Sequence, residues 1–520
     1  MPQTSQMLVE YPEIHLHVIA ELRGASLDGE KNVRAMIDSL AGQITDPTSV
    51  LMAFQEITDS YPRVRSALDL LIAEGGEMRE AQFSREYGSI RQMGPSKLER
   101  EQPWNAPESV AEFLYYYGLI GRTYKGEGRN AHTIIFIPTD ILPWLPQPTT
   151  ADGEQGLAAA PVPPPLSSRM LRLEDAFLED AGTLLGFLHT EGLRLQADGT
   201  PDPDDIDQLM MRLKSKDGFV SPFEAPAASA NIEETRIALL LHLARRLGWL
   251  RRADDERVRL TGNRVYAFLE QPRSEQRFSL WEAWRTSSEW NDLVRIPGLD
   301  CSVGNWQNNP LQTREVVLQL LARLQPGAWY SQADVVSAIK ETIPDFQRPT
   351  GDYDNWYIRV ENTDKFLRGF EHWDQVEGVL LRFLLNGPVY WLSAVDLAEP
   401  SAGDDLLFSL SAGGSRWLGH DSETPNEARR RAIVVEEDFS VELPADTPLM
   451  DRFRVERFSN WQASYPNYLY QINQRSLNRA SAEGVQPDRI LAFLNSRARH
   501  VPQRVAAGLQ KFGERLATDS

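Results

Sequence analysis

"YYYGLIGRTYKGEGRNAHTIIFIP" (residues 115–138) decides the fold, because its glycine loop admits two readings. Lys125-Gly126-Glu127-Gly128-Arg129 can cradle the phosphates of a nucleotide, or it can be the tip of a β-hairpin. A phosphate-binding glycine loop leads from a strand into a helix N-terminus, whose free amides hold the anion. Here a β-prone run, Leu119 to Tyr124, leads through the loop into another, Thr133 to Ile137. The glycines therefore serve a tight turn between strands.

Upstream, Val64 to Ile72 carries helical apolar spacing and stops at Gly75-Gly76. A short helix is expected near Ala81 to Tyr87, and a third from Pro107 through Val110, Phe113 and Leu114 to Gly118. Three helices followed by a hairpin describe a winged helix, a helix-turn-helix variant. The junction recurs in "RRLGWLRRADDERVRLT" (245–261) and in "LLNGPVYWLS" (384–393). Each is read as helix, glycine, strand, turn. The expected class is mainly α with small β-hairpins and sheets (α+β), built from tandem winged-helix-like units.

"PQPTTADGEQGLAAAPVPPPLSS" (146–168) has no apolar period and reads as an extended tether. The expected divisions are a helical N-terminal region (1–60), a winged helix (61–147), a Pro/Ala-rich linker (148–170) and a helical region with a second winged-helix-like unit (171–300). A third unit with an aromatic and acidic insertion (301–400) and a C-terminal α+β domain (401–520) follow.

The net charge of −20 opposes binding to anionic polymers unless the charge is segregated. It is: Pro448 to Leu516 holds eleven Lys/Arg against five Asp/Glu. "DGTPDPDDIDQ" (198–208) and "LEREQPWNAPE" (98–108) carry part of the acidic surplus. One anion-facing end fits this asymmetry, and so does plain segregation of solvated charge. No apolar run reaches the roughly 18 residues of a bilayer span, and the start lacks the basic and apolar blocks of a signal peptide. A single cysteine, Cys301, leaves no internal disulfide and points to a reducing cytoplasm.

The residues of catalysis are sparse. The G-x-x-x-x-G-K-[ST] loop of a nucleotide motor is missing, "ADDER" (253–257) sits in a polar turn, and no G-x-S-x-G elbow is present. His15-x-His17 reads as a solvated face rather than a ligand pair. In the segment 345–366, Asp352, Asp354, Glu361 and Asp364 lack the oxygen spacing of a calcium loop. Tyr353, Trp356 and Tyr357 there read as pins holding an insertion to the core. The expectation is a non-catalytic protein with no cofactor, metal, small-molecule substrate or membrane partner.

"AIVVEEDFSVELP" (432–444) and "YLYQINQRSLNRASAEGVQPDRILAFLNSRARHVPQRVAAGLQKF" (468–512) resemble a bacterial family of helicase-associated, XPB-type helicase N-terminal-domain proteins. The resemblance rests on Ser476, Leu477, Arg479, Ala480, Gly484, Ile490, Leu491, Phe493, Leu494, Pro502, Gln503 and Val505. Segments 75–146 and 326–392 are similar to longer members. The family's Gln-Pro-Asp-Phe turn is Glu436-Glu437-Asp438-Phe439 here, which adds negative charge. "LHVIAELRGASLDGEKNVRAMIDSL" (16–40) resembles an SAP motif, whose carry-over sets Lys31 and Arg34 against phosphate; an ordinary helical hairpin fits it equally. The resemblance implies a damage-recognition-like C-terminal domain and a partner that is DNA, an XPB-like helicase, or both.

Candidate phosphate contacts are Arg91, Lys97, Arg100, Arg122, Lys125 and Arg129 in the first unit and Arg251 and Arg252 in the second. At the C-terminus they are Arg475, Arg479, Arg489, Arg497, Arg499, Arg504 and Lys511. On the expected third helix, Glu108 and Glu112 stand where phosphates would approach. Binding through these residues would be salt-sensitive and weakly sequence-specific. The alternative is a scaffold whose winged helices meet a partner protein without touching DNA.

Overall fold

The computed structural model describes residues 1–30, 32–60, 62–126, 132–146, 157, 159–166, 170–171, 175–196, 200–213, 228–252, 257–348, 351–399, 405–421 and 431–519. The chain forms two compact units, Met1–Gln155 with Arg348–Tyr353, and Gly156–Gln347 with Asp354–Ser520. Both are α+β, with small antiparallel sheets among many helices.

The first unit opens with α1 (Thr4–Val9), α2 (Glu13–Arg23), α3 (Val33–Ile44) and α4 (Pro47–Ser60). Then come α5 (Pro62–Ala73), β1 (Glu77–Arg79), α6 (Glu80–Tyr87), α7 (Pro95–Glu101), α8 (Val110–Tyr116), β2 (Gly121–Lys125) and β3 (His132–Phe136). The hairpin expected around the glycine loop is β2–β3; the loop residues 127–131, Arg129 among them, lie outside the described residues. Sequence reading missed β1, whose three residues carry no alternation of their own. It exists through pairing, Met78 opposite Ile135, and gives the sheet order β1-β3-β2. Helix α8 starts three residues later than expected because Ser109 caps it, accepting from the Glu112 amide at 2.9 Å. The apolar run of β3 is continuous because both sheet faces are covered. Ile135 joins a core with Leu68, Phe83 and Leu114, while Ile134 and Phe136 join Leu16, Ile19 and Leu40 of the N-terminal helices.

The second unit repeats the path. β4 (Met170–Leu171) precedes α9 (Ala176–Thr190), β5 (Leu193–Arg194), α10 (Pro203–Arg212), α11 (Ala228–Arg246), β6 (Leu250–Arg252) and β7 (Arg257–Leu260). Its sheet has the order β5-β7-β6. After α12 (Gly262–Leu269), α13 (Arg273–Arg285) and β8 (Leu299–Asp300), a third copy begins with α14 (Pro310–Leu321), β9 (Trp329–Ser331) and α15 (Gln332–Thr342). β10 (Arg359–Val360) pairs with β8, and α16 (Val379–Asn386), α17 (Pro388–Trp391), β11 (Val395–Ala398) and β12 (Leu407–Leu410) complete the copy. Its sheet runs β4-β11-β12-β9. In all three, the first strand of the copy pairs with the last, and the last with the middle one.

Two expectations change here. Val389 to Trp391, read as a strand, form the helical turn α17, because Pro388 suits a first helical position and Val389 and Trp391 bury inward. Of the expected tether only 146, 157 and 159–166 lie among the described residues, and part of that stretch is paired. Val162 bridges Trp329, and β4 adds to the edge of β11.

After α18 (Ala412–Trp417), the C-terminal module comprises β13 (Val434–Val435), β14 (Ser440–Leu443), α19 (Leu449–Phe458), β15 (Asn460–Ala463) and β16 (Tyr468–Gln471). Three helices follow: α20 (Gln474–Ala482), α21 (Pro487–Arg497) and α22 (Gln503–Asp519). They cover one face of the sheet β13-β14-β16-β15 with Leu477, Ile490, Leu494, Val505 and Leu509. Helix α19 lies against α9, whose Gly182 and Gly186 permit the approach. A Cβ on Gly186 would stand 2.3 Å from Glu456 Cδ. At the crossing the buried Arg452 bonds Glu179, Thr183 and Tyr470 and stacks 3.6 Å from the Tyr468 ring centroid. Residues 171–300 and 401–520 thus share one buried polar seam.

Candidate nucleic-acid interface

The third helix of a winged helix enters a groove only if one face is free. In all three copies that helix is buried along most of its described length. On α8, Ala111, Glu112, Leu114 and Tyr116 are buried. His15 of α2 covers the far side, its ring 4.8 Å from Tyr115 and 5.1 Å from Tyr116. On α11, Ile237, Leu239, Leu240, Leu243 and Ala244 are buried, and Arg236 pairs with buried Asp180. On α16, Val379 to Leu381 and Phe383 to Leu385 are buried. An apolar circumference of this kind belongs to a core helix.

The expected clash of carboxylates with phosphate is corrected for Glu112, while Glu108 precedes α8 and stays exposed. Glu112 points inward and accepts from Arg91 Nε at 2.8 Å, Arg91 Nη2 at 2.7 Å and the Glu108 amide at 2.9 Å. Burial raises its pKa, but these bonds outweigh burial and leave it below the ordinary glutamate value. His15 is corrected too. Helix α2 turns it into an aromatic pocket, where burial lowers its pKa to about 3, while His17 faces outward.

Of the first-unit candidates, Arg91 and Arg122 are part-buried in the fold, while Lys97, Arg100, Lys125 and Arg34 form exposed surface pairs. Arg91 holds Glu112 and Glu108, Arg122 pairs with Glu80 at 2.8 Å, and Lys125 pairs with Glu77. Lys97 and Arg100 meet Glu101 at 3.7 and 3.1 Å, and Arg34 meets Asp38 at 3.4 Å. Lys31, like Arg129, lies outside the described residues. In the second copy Arg251 donates to the Leu260 carbonyl at 3.1 Å, and Arg252 is exposed.

The C-terminal candidates divide in two. Arg479 is an internal brace that donates to Asn460 Oδ1 and to the carbonyls of Glu456 and Ser459, and Arg497 pairs with Asp451 at 2.9 Å. The side chains of Arg475, Arg489, Arg499 and Lys511 make no ion pair or hydrogen bond among the described residues. Arg504 is exposed beside Asp438, whose carboxylate is held below its ordinary value by Ser440 and, more weakly, by Arg504. Helical spacing sorts exposed residues into one outward stripe per helix: Arg475, Asn478 and Ala482 on α20; Arg489, Ala492 and Ser496 on α21; Arg504, Ala507 and Lys511 on α22. All nine are exposed, and the exposed carboxylates Asp488 and Glu514 stand one turn from Ala492 and Lys511. The small and amide members escaped sequence reading, although their three- and four-residue spacing from the arginines was available.

Cys301, in a cavity of about 750 Å³ with Asp300 and Arg359, has its thiol pushed up to about 12 by burial and then by Asp300. Arg359 bonds Asp300 at 2.8 Å and reaches Asp364 at 3.6 Å. Trp356 stacks on Trp306 at 5.0 Å, both half-buried, and Tyr357 is exposed. Among the described residues no group of three or more His, Cys, Asp or Glu could hold a metal ion, and no helix is long and apolar enough to cross a membrane.

No family model matches the chain, and no curated protein matches it significantly.

Proposed function

We propose that this chain is a non-catalytic accessory protein that binds DNA, mainly through phosphate, on the outward stripes of α20, α21 and α22. One observation carries the reading: nine exposed, non-acidic residues on three adjacent helices include Arg475, Arg489, Arg504 and Lys511 in a chain of net charge −20. Exposed local cations attract a polyanion where the average field repels it. The threefold recurrence of one helix and strand order supports a winged-helix reading of the copies. Their buried third helices favour scaffolding over contact. The resemblance of 432–512 to XPB-type helicase N-terminal domains supports a separate helicase motor as the partner.

The test is salt-dependent binding to duplex DNA. Replacing Arg475, Arg489 and Arg504 together by Glu is expected to abolish it, and the wild-type affinity is expected to fall linearly with log salt, by about 0.9 per phosphate contact. Absence of wild-type binding at low salt would sink this proposal. It would favour the second reading, a scaffold for a partner protein, to which the burial of α8, α11 and α16 already lends weight.

A further inference from the structure

We propose that α20, the turn Glu483–Gln486 and α21 form a helix-turn-helix that places α21 in the major groove of duplex DNA. The inference rests on the nucleic-acid reading above and names its polymer and its reading element.

Two helices joined by a turn of three or four residues with a glycine make this motif, and the second helix reads the groove. Here α20 ends at Ala482 and α21 starts at Pro487. Gly484 sits in the turn at φ 80°, a left-handed conformation that most residues avoid. The Val485 amide closes back on the Ala480 carbonyl at 2.9 Å, and the Gly484 amide on Ser481 at the same distance. Ala480, Val485 and Ile490 meet in one core. The turn is fixed to its own unit, since Glu483 takes His189 at 3.0 Å and Arg457 at 3.9 Å.

Helix α21 differs from α8, α11 and α16 in having an open side. Ile490 and Leu494 bury inward, while Asp488, Arg489, Ala492, Asn495 and Ser496 are exposed. These residue types suit base edges: arginine for guanine, asparagine for adenine, a carboxylate for the cytosine amino group, and alanine for the thymine methyl. Arg475 on the first helix and Arg504 and Lys511 on α22 supply phosphate contacts that set register without reading sequence. The partner is duplex DNA and not duplex RNA, whose major groove is too deep and narrow for side chains to read.

The experiment measures the full chain against a short mixed-sequence DNA duplex, its single strand and the corresponding RNA duplex at about 50 mM salt. It repeats the duplex DNA measurement on a panel of base substitutions. The DNA duplex is expected to bind best, and the panel to show a preference. Ala492→Glu, at an exposed position, is expected to lower duplex affinity about tenfold or more and to leave single-strand binding unchanged. Asn495→Asp serves if the first variant melts early. Arg489→Ala is expected to flatten the preference at one base pair. Equal binding of the three polymers overturns the groove reading. So does duplex binding that survives the α21 variants but falls with Arg504→Glu and Lys511→Glu, and this outcome leaves the backbone-binding proposal standing. No binding to any polymer removes both.

Discussion

Arg91 and Arg479 show how a basic residue that looks available to phosphate can be committed to the fold. Arg91 neutralises a buried glutamate, and its removal strands that charge. Arg91→Ala is expected to cost about 3 kcal/mol in urea unfolding of the first unit while leaving DNA binding unchanged. Sequence could not show the pairing, because Glu112 lies 21 residues away. Arg475, by contrast, is legible as free once the outward side of α20 is known. Arg475→Glu is expected to weaken binding without lowering the melting temperature, and Arg479→Glu to lower it, since a carboxylate cannot donate to the carbonyls of Glu456 and Ser459. His15 makes a pH prediction. Its pKa is depressed in the folded state, so the native chain binds fewer protons than the unfolded one below the ordinary value near 6.5. Its contribution is therefore complete above about pH 6.5 and is lost as pH falls toward 3, at about 1.4 kcal/mol per unit. The urea midpoint of His15→Phe is expected to fall less over that range.

At the scale of elements, the hairpin β2–β3 was readable because a glycine turn between two β-prone runs has few other solutions. Strand β1 was not readable, since three residues acquire strand conformation only from a neighbour. The third helices sit between these cases. The run Val379 to Leu385 announces burial in its composition, but nothing local in α8 says that α2 lies over Tyr115 and Tyr116. The crossing of α9 and α19 is set by Gly182 and Gly186, four residues apart on one helix face. Gly186→Val is expected to destabilise the second unit by about 1–3 kcal/mol, because the added carbons meet Glu456, itself held by Tyr470 at 2.8 Å. Thermal unfolding followed by tryptophan fluorescence should report the loss.

For the whole molecule, charge segregation and the recurrence of helix, strand and hairpin were visible in the chain, because both are local in sequence. They determined an α+β protein of repeated small modules with a basic C-terminal end. Which modules are open for contact was a different matter. It depends on what covers each helix, and the covering residues lie far along the chain: α2 over α8, and Glu179 of α9 against Arg452 of α19. Burial and ion pairing are properties of three-dimensional neighbours, which periodicity does not name. Sequence by itself therefore supplied the modules and the sign of the charge at one end. The tertiary structure decided that three candidate reading helices are core, and that the outward stripes of α20 to α22 keep their cations exposed.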